Sequence, residues 1–449
     1  MKKIIITLSL FSSIISFAQE KDSTLVFKKR VLEGVEVEFL ASYYDQDGVH
    51  SAVSGGIGSE KLNDITSNIV LSIPLNDDDV LTVDAGISAY TSASSSNINP
   101  YDDSVGNGTP TPWQASSGAS ASDNLLSLNG TYSHSSDDRN FIWNADLSFS
   151  NEFDYTSIGF GGGVTKLFND KNSEISVKGN VYLDQWTPIY PIEFRELSSI
   201  PIIYDQNGNS STAYLNQFQS WTSTNRNSYS VSFSFSQILT KKSQVSVFFD
   251  ILQQQGKLST PYQRVYFADK ANYYIGDPQY IPVYTTSDNN GAYQLADDIE
   301  RLPDSRFKVP IGMRWHYYIN EKFVVRSYYR YYWDNWGITA HTASIELPYK
   351  ITDKFTFFPM YRYYTQQQSK YFAPYETHLS TEQYYTSDYD LSTFNANQYG
   401  FGVTYTDIFG KAKIFGFAIK NIDFRFNHYT RSDGLDSNIG TIGIKFVEQ

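Results

Sequence analysis

Oxygen, imidazole, guanidinium and lysine amine groups carry the reactive chemistry in this sequence, because its 449 residues include no cysteine. Disulfides, thiolate metal sites, thiol nucleophiles and a lipid anchored on a cysteine are therefore excluded. His134-Ser135-Ser136 places an imidazole two residues from a hydroxyl, the pair of groups that a membrane-bound Ser–His lipase uses. His378 and His50 stand near acidic residues, as an Asp/His protease site would require. Such short spacings are weak constraints, since nucleophile and base must meet in space. His316, His341 and His428 occur singly and read as structural. Asp45, Asp47 and Gly48, with Glu60 downstream, resemble the start of a calcium loop but lack the full D-x-D-x-D-G spacing and its distal Glu. An exposed Asp-Gly also makes an ordinary turn. The reading is of a non-enzyme, with no catalytic residue, no metal site and no cofactor.

A second set of groups is charged and spread along the chain. Glu36, Glu38, Asp84, Asp146, Asp184 and Asp250, joined by Glu174, lie in the first part, where Lys178 is the main basic exception. Arg306, Arg314, Arg326, Arg330 and Arg362, joined by Lys308 and His316, lie in the second, with Asp334 and Glu346 as the chief acids. Most of them sit between apolar neighbours in a segment of period two. What positions them is therefore the alternation itself.

The clearest alternating segments are Phe141-Trp143-Ala145-Leu147-Phe149, Ile175-Val177-Gly179-Val181-Leu183, Tyr229-Val231-Phe233-Phe235, Val245-Val247-Phe249-Ile251 and Phe307-Val309-Ile311-Met313-Trp315. Polar or small residues fill the gaps, and a helix would scatter these apolar side chains around its axis. Tyr and Phe supply 36 and 30 residues, yet mean hydropathy is −0.39. Aromatic-rich but hydrophilic is the composition of strands with one face in lipid and the other in water. A soluble β-rich protein would need a second layer to cover the apolar rows, and no helical pattern supplies one.

Short charged turns at 76–79, 135–139, 169–172, 240–243, 320–322, 352–354 and 410–413 alternate with longer segments at 45–63, 92–122, 187–222, 256–304 and 369–395, and with short outer connections near 151–154, 334–337 and 432–436. Seven short turns with both termini on their side predict about sixteen strands. The expected fold is all-β: a transmembrane antiparallel up-and-down barrel over residues 34–449. Lys2-Lys3, the apolar run 4–15 and Ser16-Phe17-Ala18 predict a signal peptide over 1–18, leaving 19–33 as a short periplasmic segment. Localisation in the outer membrane follows, with outer-membrane lipid around the wall. The alternation of Ile442, Ile444 and Phe446 resembles the terminal strand that barrel-assembly machinery reads.

If the apolar rows face lipid, the charged sets face the lumen as an acidic and a basic wall, a field that orients small solutes. The expected function is porin-like passage of small solutes, and the loops at 187–222 and 256–304 are long enough to fold inward. The alternative is a closed barrel, its inward charges paired, serving as an anchor or an assembly and export partner. Tyr43-Tyr44, Tyr317-Tyr318, Tyr328-Tyr329, Tyr331-Tyr332-Trp333, Trp336 and Tyr361-Tyr363-Tyr364 read as interfacial girdles. The net charge of −13 excludes nucleic acid as a partner class.

Residues 42–62 (SYYDQDGVHSAVSGGIGSEKL) and 74–102 (PLNDDDVLTVDAGISAYTSASSSNINPYD) resemble a bacterial family catalogued as domain of unknown function 3570. The resemblance extends over nearly the whole chain after the signal peptide. It implies an exported, barrel-like protein, encoded beside thioredoxin-like and flavin-transferase proteins and hence linked to periplasmic redox or export processes. It carries no site residues with it.

Overall fold

A computed structural model describes residues 30–91, 122–188, 203–205, 223–270, 273–275, 293–295, 298–407, 410, 412–414 and 416–448. The signal-peptide segment and Pro191, Pro201, Pro278 and Pro282 of the long loops lie outside them.

Among the described residues, sixteen long strands follow one another: β1 (Glu36–Asp47), β2 (Leu62–Pro74), β3 (Asp79–Thr91), β4 (Ser122–Ser135), β5 (Phe141–Asn151), β6 (Tyr155–Phe168), β7 (Ser173–Trp186) and β8 (Thr224–Thr240) form the first half. The second half is β9 (Ser243–Gly256), β10 (Ser305–Asn320), β11 (Phe323–Asp334), β12 (Thr339–Glu346), β13 (Phe355–Gln366), β14 (Phe394–Thr406), β15 (Phe417–Arg431) and β16 (Asp436–Glu448). Tyr349–Lys350 continues β12 past Pro348, which cannot donate to a ladder. Each strand pairs antiparallel with the next, and β1 pairs with β16 from Glu36↔Val447 to Asp47↔Asp436, which closes the sheet. Closure leaves no edge whose backbone groups lipid would have to satisfy.

The ladder registers fix what each side chain faces. Val247, Phe249 and Ile251 point outward while Phe248, Asp250 and Leu252 point inward, and the same parity runs around the barrel. Ile69, Leu147 and Phe160 keep 50%, 58% and 51% of their surface uncovered by protein. Rows of this kind on every side exceed any apolar patch a water-soluble surface tolerates, so the outer wall is a lipid-facing band. The barrel is transmembrane. No described helix is long and apolar enough to cross a membrane.

The aromatic runs divide by the same parity. Tyr329, Trp333, Tyr361 and Tyr363 are on the outer face, whereas Tyr328, Tyr332 and Tyr364 are inside. Trp336 is no girdle residue, being 3% exposed within a packed apolar cluster at the mouth.

That cluster belongs to a lid. Leu258 and Leu302 from the fifth outer loop (257–304), Trp336 and Ile338 from the β11–β12 turn, and Phe372 and Leu391 from the seventh outer loop (367–393) bury one another. Val265, Phe267 and Tyr385 form a second apolar contact between the fifth and seventh loops, held by paired backbone bonds between Arg301 and Tyr385 (2.9 and 2.8 Å). The first outer loop (48–61) completes the lid. Its short helical turn, Ala52–Ser54, meets Arg264–Val265 of the fifth loop, and Val53 has no exposed surface. Eight of the sixteen strands separate these two loops either way around the barrel, so they meet from opposite sides of the outer rim.

Gly56 is where the lid closes most tightly. Its φ of +88° suits glycine, and a Cβ there would lie 2.7 Å from the Tyr389 ring and 3.0 Å from the Ser387 carbonyl oxygen. Gly56→Val is expected to destabilise the closed lid by about 1–3 kcal/mol, from strain and overpacking together. Limited proteolysis should then cut at 48–61 in the variant and spare the unmutated barrel; equal resistance would refute the tight contact.

Candidate functional site

The registers place Glu36, Glu38, Asp84, Asp146, Asp184 and Asp250 on the inner face, together with Glu174 and Lys178. Arg306, Arg314, Arg326, Arg330 and Arg362 are also inside, with Lys308 and His316. The inner face further carries Asp64, Asp123, Arg226, Asp423, Arg425, Arg431 and Lys445, which sequence reading did not single out. Asp423, Arg425 and Lys445 did offer the signal, each lying between apolar neighbours, whereas Asp123, Arg226 and Arg431 lie between polar ones at strand ends and do not show the alternation.

Much of this charge is compensated locally. Lys420 and Lys445 both reach Glu36 (3.0 and 2.6 Å), so the seam between β1 and β16 is neutralised. Lys178 meets Asp146 at 2.9 Å, and Thr131 donates to the same carboxylate at 2.7 Å. These residues border a polar recess of about 310 Å³ on the inner wall, lined also by Asn68, Asp84, Ser148 and Asn180. Asp184 is 8% exposed and accepts the Tyr155 hydroxyl at 2.5 Å, which ties β6 to β7 just below the mouth.

On the other side, Arg326 pairs with Glu346 at 2.7 Å, as one outcome of the sequence reading allowed. Arg425 joins the same carboxylate at 3.2 Å and Asp423 at 3.0 Å. Asp334 belongs to Arg306 and not to Arg330. Its Oδ2 accepts from Arg306 Nη2 and Nε at 2.6 and 3.0 Å and from the Tyr332 hydroxyl at 2.9 Å. Its Oδ1 accepts the Trp336 and Ile338 amides, both at 3.0 Å, and the Arg306 guanidinium lies 4.4 Å from the centroid of the Trp336 ring. Arg306 is thus committed to the lid hinge. Arg431 is committed as well, to Asp433 and Asp390 (both 2.5 Å) and to the Tyr389 carbonyl (3.0 Å).

Arg314, Arg330 and Arg362 have no carboxylate partner among the described residues, and neither do Glu38, Asp84 and Asp250 among the acids a lysine or arginine. Arg314 lies over the rings of Phe248 (5.0 Å) and Tyr328 (5.9 Å). Phe248 is able to lie flat on the wall because its neighbour across the ladder is Gly312, where a Cβ would sit 2.3 Å from the ring.

The remaining chemical candidates are dispersed. His134 Nδ1 meets Asp79 at 2.6 Å near the short-turn rim, while Ser136 donates to Asp138 at 2.6 Å, so the H-x-S pair makes no Ser–His contact. His378 is 3% exposed and bonded to Glu382 (2.7 Å) and the Thr386 carbonyl (3.0 Å). His50 stacks on Tyr389 with centroids 3.4 Å apart. His341 meets the Tyr329 hydroxyl at 2.7 Å on the outer face, and His428 meets Asn438 at 3.0 Å. In the calcium-loop segment, Asp47 pairs with Lys61 at 3.5 Å and Glu60 donates its amide to the Gly48 carbonyl at 3.0 Å, which makes a closed turn. Asp123, Glu152 and Asp154 do converge at the β5–β6 turn, with ligand oxygens within 4.8 Å of one another. Burial raises the pKa of Glu152 and of Asp154 there, and Trp186 donates to Asp154 at 3.2 Å.

No curated protein matches this sequence. Among solved structures, the barrel is similar to a bacterial polysaccharide outer membrane secretin (10% identity, 93% of this chain and 100% of that chain, TM-score 0.42). It is also similar to a FadL homologue of Pseudomonas aeruginosa (10%, 93% and 90%, 0.37) and a BenF-like porin of Pseudomonas fluorescens Pf-5 (8%, 93% and 99%, 0.39). A family match covers nearly all of the sequence, residues 7–444, and the chain accordingly belongs to the family described as protein of unknown function (DUF3570).

Proposed function

We propose that this protein is an outer-membrane barrel through which small solutes pass along a charged lumen. The observation that carries the reading is the inner wall itself. A sealed interior would pair its charges, because an isolated ion in a low-dielectric core is strongly disfavoured. Here Glu38 and Asp84 stand across the lumen from three unneutralised arginines, and Asp250 on β9 stands beside them, an arrangement suited to a hydrated passage with a transverse field. The acidic group lies on β1, β3 and β9 and the basic group on β10, β11 and β13. The lid makes passage conditional on its opening. In this reading the wall has no catalytic group, its partners are outer-membrane lipid and the assembly machinery, and its cargo is a small solute.

Purified protein in planar bilayers is expected to show unitary conductance steps, with a higher open fraction when the lid is loosened by Gly56→Val. Silence of both proteins at every voltage would sink the passage reading. A closed barrel acting as an anchor or an export partner is the second reading, and the lid joined across the outer rim favours it. Copurification of a stoichiometric partner with the silent barrel would establish that role instead.

A further inference from the structure

The inner face of β10 to β15 carries more arginine than it can neutralise. Two tiers describe it. The lower runs level through Arg314, Tyr328, Ser344, Arg362, Gln398 and Tyr429. The upper runs through Arg330, Thr342, Tyr364, Ala396 and Arg431. Asp334, Glu346 and Asp423, the carboxylates of this wall, are taken by Arg306, Arg326 and Arg425, and Arg431 is held by Asp390 and Asp433 of the outer loops. That leaves Arg314, Arg330 and Arg362.

Two of these three have a more specific deficit. The Nε–H groups of Arg330 and of Arg362 are both buried with no hydrogen-bond partner. Leaving a buried donor unmet costs about 1–3 kcal/mol, and more on a charged group. The two arginines stand on β11 and β13, two strand spacings apart across the wall and two residues apart along it, which puts their backbones roughly 12 Å from each other. Thr342 lies between them on β12 and is 2% exposed, although it faces the lumen, so longer side chains around it cover it. Tyr364, beside them, has its hydroxyl engaged as donor to Gln366 at 2.5 Å. Both arginine side chains are thus inward-facing cations with no carboxylate partner among the described residues, and a guest meeting their outer guanidinium nitrogens would have to bring acceptors and negative charge.

We propose that Arg330 and Arg362, flanked by Arg314, form a binding site for the oxyanion of a small solute, a carboxylate or a phosphate, beneath the lid. A planar guanidinium offers a forked pair of donors matching the two oxygens of either group, and the charge assistance makes such bonds the strong ones. The rings of Phe248 and Tyr328 beside Arg314 give the solute an apolar surface next to its charged end. The inference rests on the reading above, in which solutes enter the lumen, and it names their class.

Titration calorimetry of the full-length barrel in detergent, with sodium phosphate and with sodium acetate at constant ionic strength, tests it. At least one probe is expected to bind saturably, and which one binds distinguishes a phosphorylated from a carboxylate solute. The double variant Arg330→Gln/Arg362→Gln is expected to weaken that binding at least tenfold. Arg362→Lys, which keeps the charge but not the fork, should weaken it several-fold. Heat-modifiable gel migration identifies the variants that remain folded barrels. No saturable binding of either probe to the unmutated protein, or a folded double variant within twofold of it, overturns the site. Binding that persists in a barrel silent in bilayers supports the site and removes the passage reading, so the two fail separately.

Discussion

Asp334→Ala is expected to lower the stability of the folded barrel by about 3–5 kcal/mol, the effect of breaking a buried ion pair by removing one member. Asp334 has no exposed surface and accepts five hydrogen bonds from four residues, so its loss orphans more than a charge. The Arg306 guanidinium would stay 15% exposed beside Trp336 with no anion, and the turn amides of Trp336 and Ile338 would lose their acceptor. Asp334→Asn retains an acceptor for those amides while still leaving Arg306 unpaired, and should fall between the two. Urea unfolding of the protein refolded into lipid vesicles measures both. A loss below 1 kcal/mol for the alanine variant would show that Arg306 finds water in the lumen and that the pair does not anchor the turn. The lid should suffer with it, because Trp336 is common to the pair and to the apolar cluster of the mouth.

Closure of the lid is expected to weaken as pH rises from about 4.5 to about 8, the ordinary and the raised pKa of Glu300. Glu300 is buried between the fifth and seventh loops, where it accepts the Thr386 hydroxyl at 2.8 Å and the Thr260 amide. Burial pushes its carboxyl up, and the nearby Asp388 adds to that rise. Asp388 and Glu60 are themselves pushed up to about 7 by burial, with Asp390 adding to both and Arg431 opposing in part. The sign follows directly. A carboxyl with a raised value in the closed lid holds a proton that the open lid releases, so the closed form binds more protons and loses stability as pH climbs. The advantage is complete below about 4.5 and gone above about 8. For Glu300 alone an upper bound on the order of 5 kcal/mol follows from 1.36 kcal/mol per unit.

The absence of cysteine makes the measurement direct. Spin labels on Ile57→Cys and Ala268→Cys, both exposed, report the distance between the first and fifth loops. Below pH 5 the distribution should be single and narrow; near pH 8 it should broaden to longer distances. Glu300→Gln keeps the shape and removes the titration, so its distribution should stay narrow further up the pH scale. A distance that shortens with rising pH, or one that Glu300→Gln leaves unaltered, contradicts the assignment.

The barrel was legible in the sequence because period-two alternation is a local property of each strand. Serine alternates with aromatic residues and Val231 from Ser228 to Ser236, and that alone orients the segment. Seven turns and a shared side for the termini then set the strand number, which the structure reproduces. Parity also sufficed to place Glu36 or Arg362 inside. Parity does not say which charges meet. Asp334 is four residues from Arg330 on one strand, yet it belongs to Arg306 on the next, because the β10–β11 register sets Lys308 opposite Asp334 and brings Arg306 to the rim. Nor does alternation reach the loops. Val53, Val265 and Tyr385 come from three segments more than a hundred residues apart, and nothing local to any of them announces the others. Trp336 went astray for the same reason: a tryptophan at a strand end looks like a girdle residue until the loop that covers it is known.

The contact of Ala52–Ser54 with Arg264–Val265 has a mechanical side. A closed cylinder of strands resists stretching along its ladders but ovalises easily, since flattening bends the sheet without breaking a bond. A tie between points on opposite sides of one rim acts as a cross-brace along that diameter. Lateral pressure from the surrounding lipid that lengthens this diameter must first pull Val53 from its socket, whereas pressure that shortens it meets no such restraint. The mouth is therefore braced against widening along this diameter and not against narrowing.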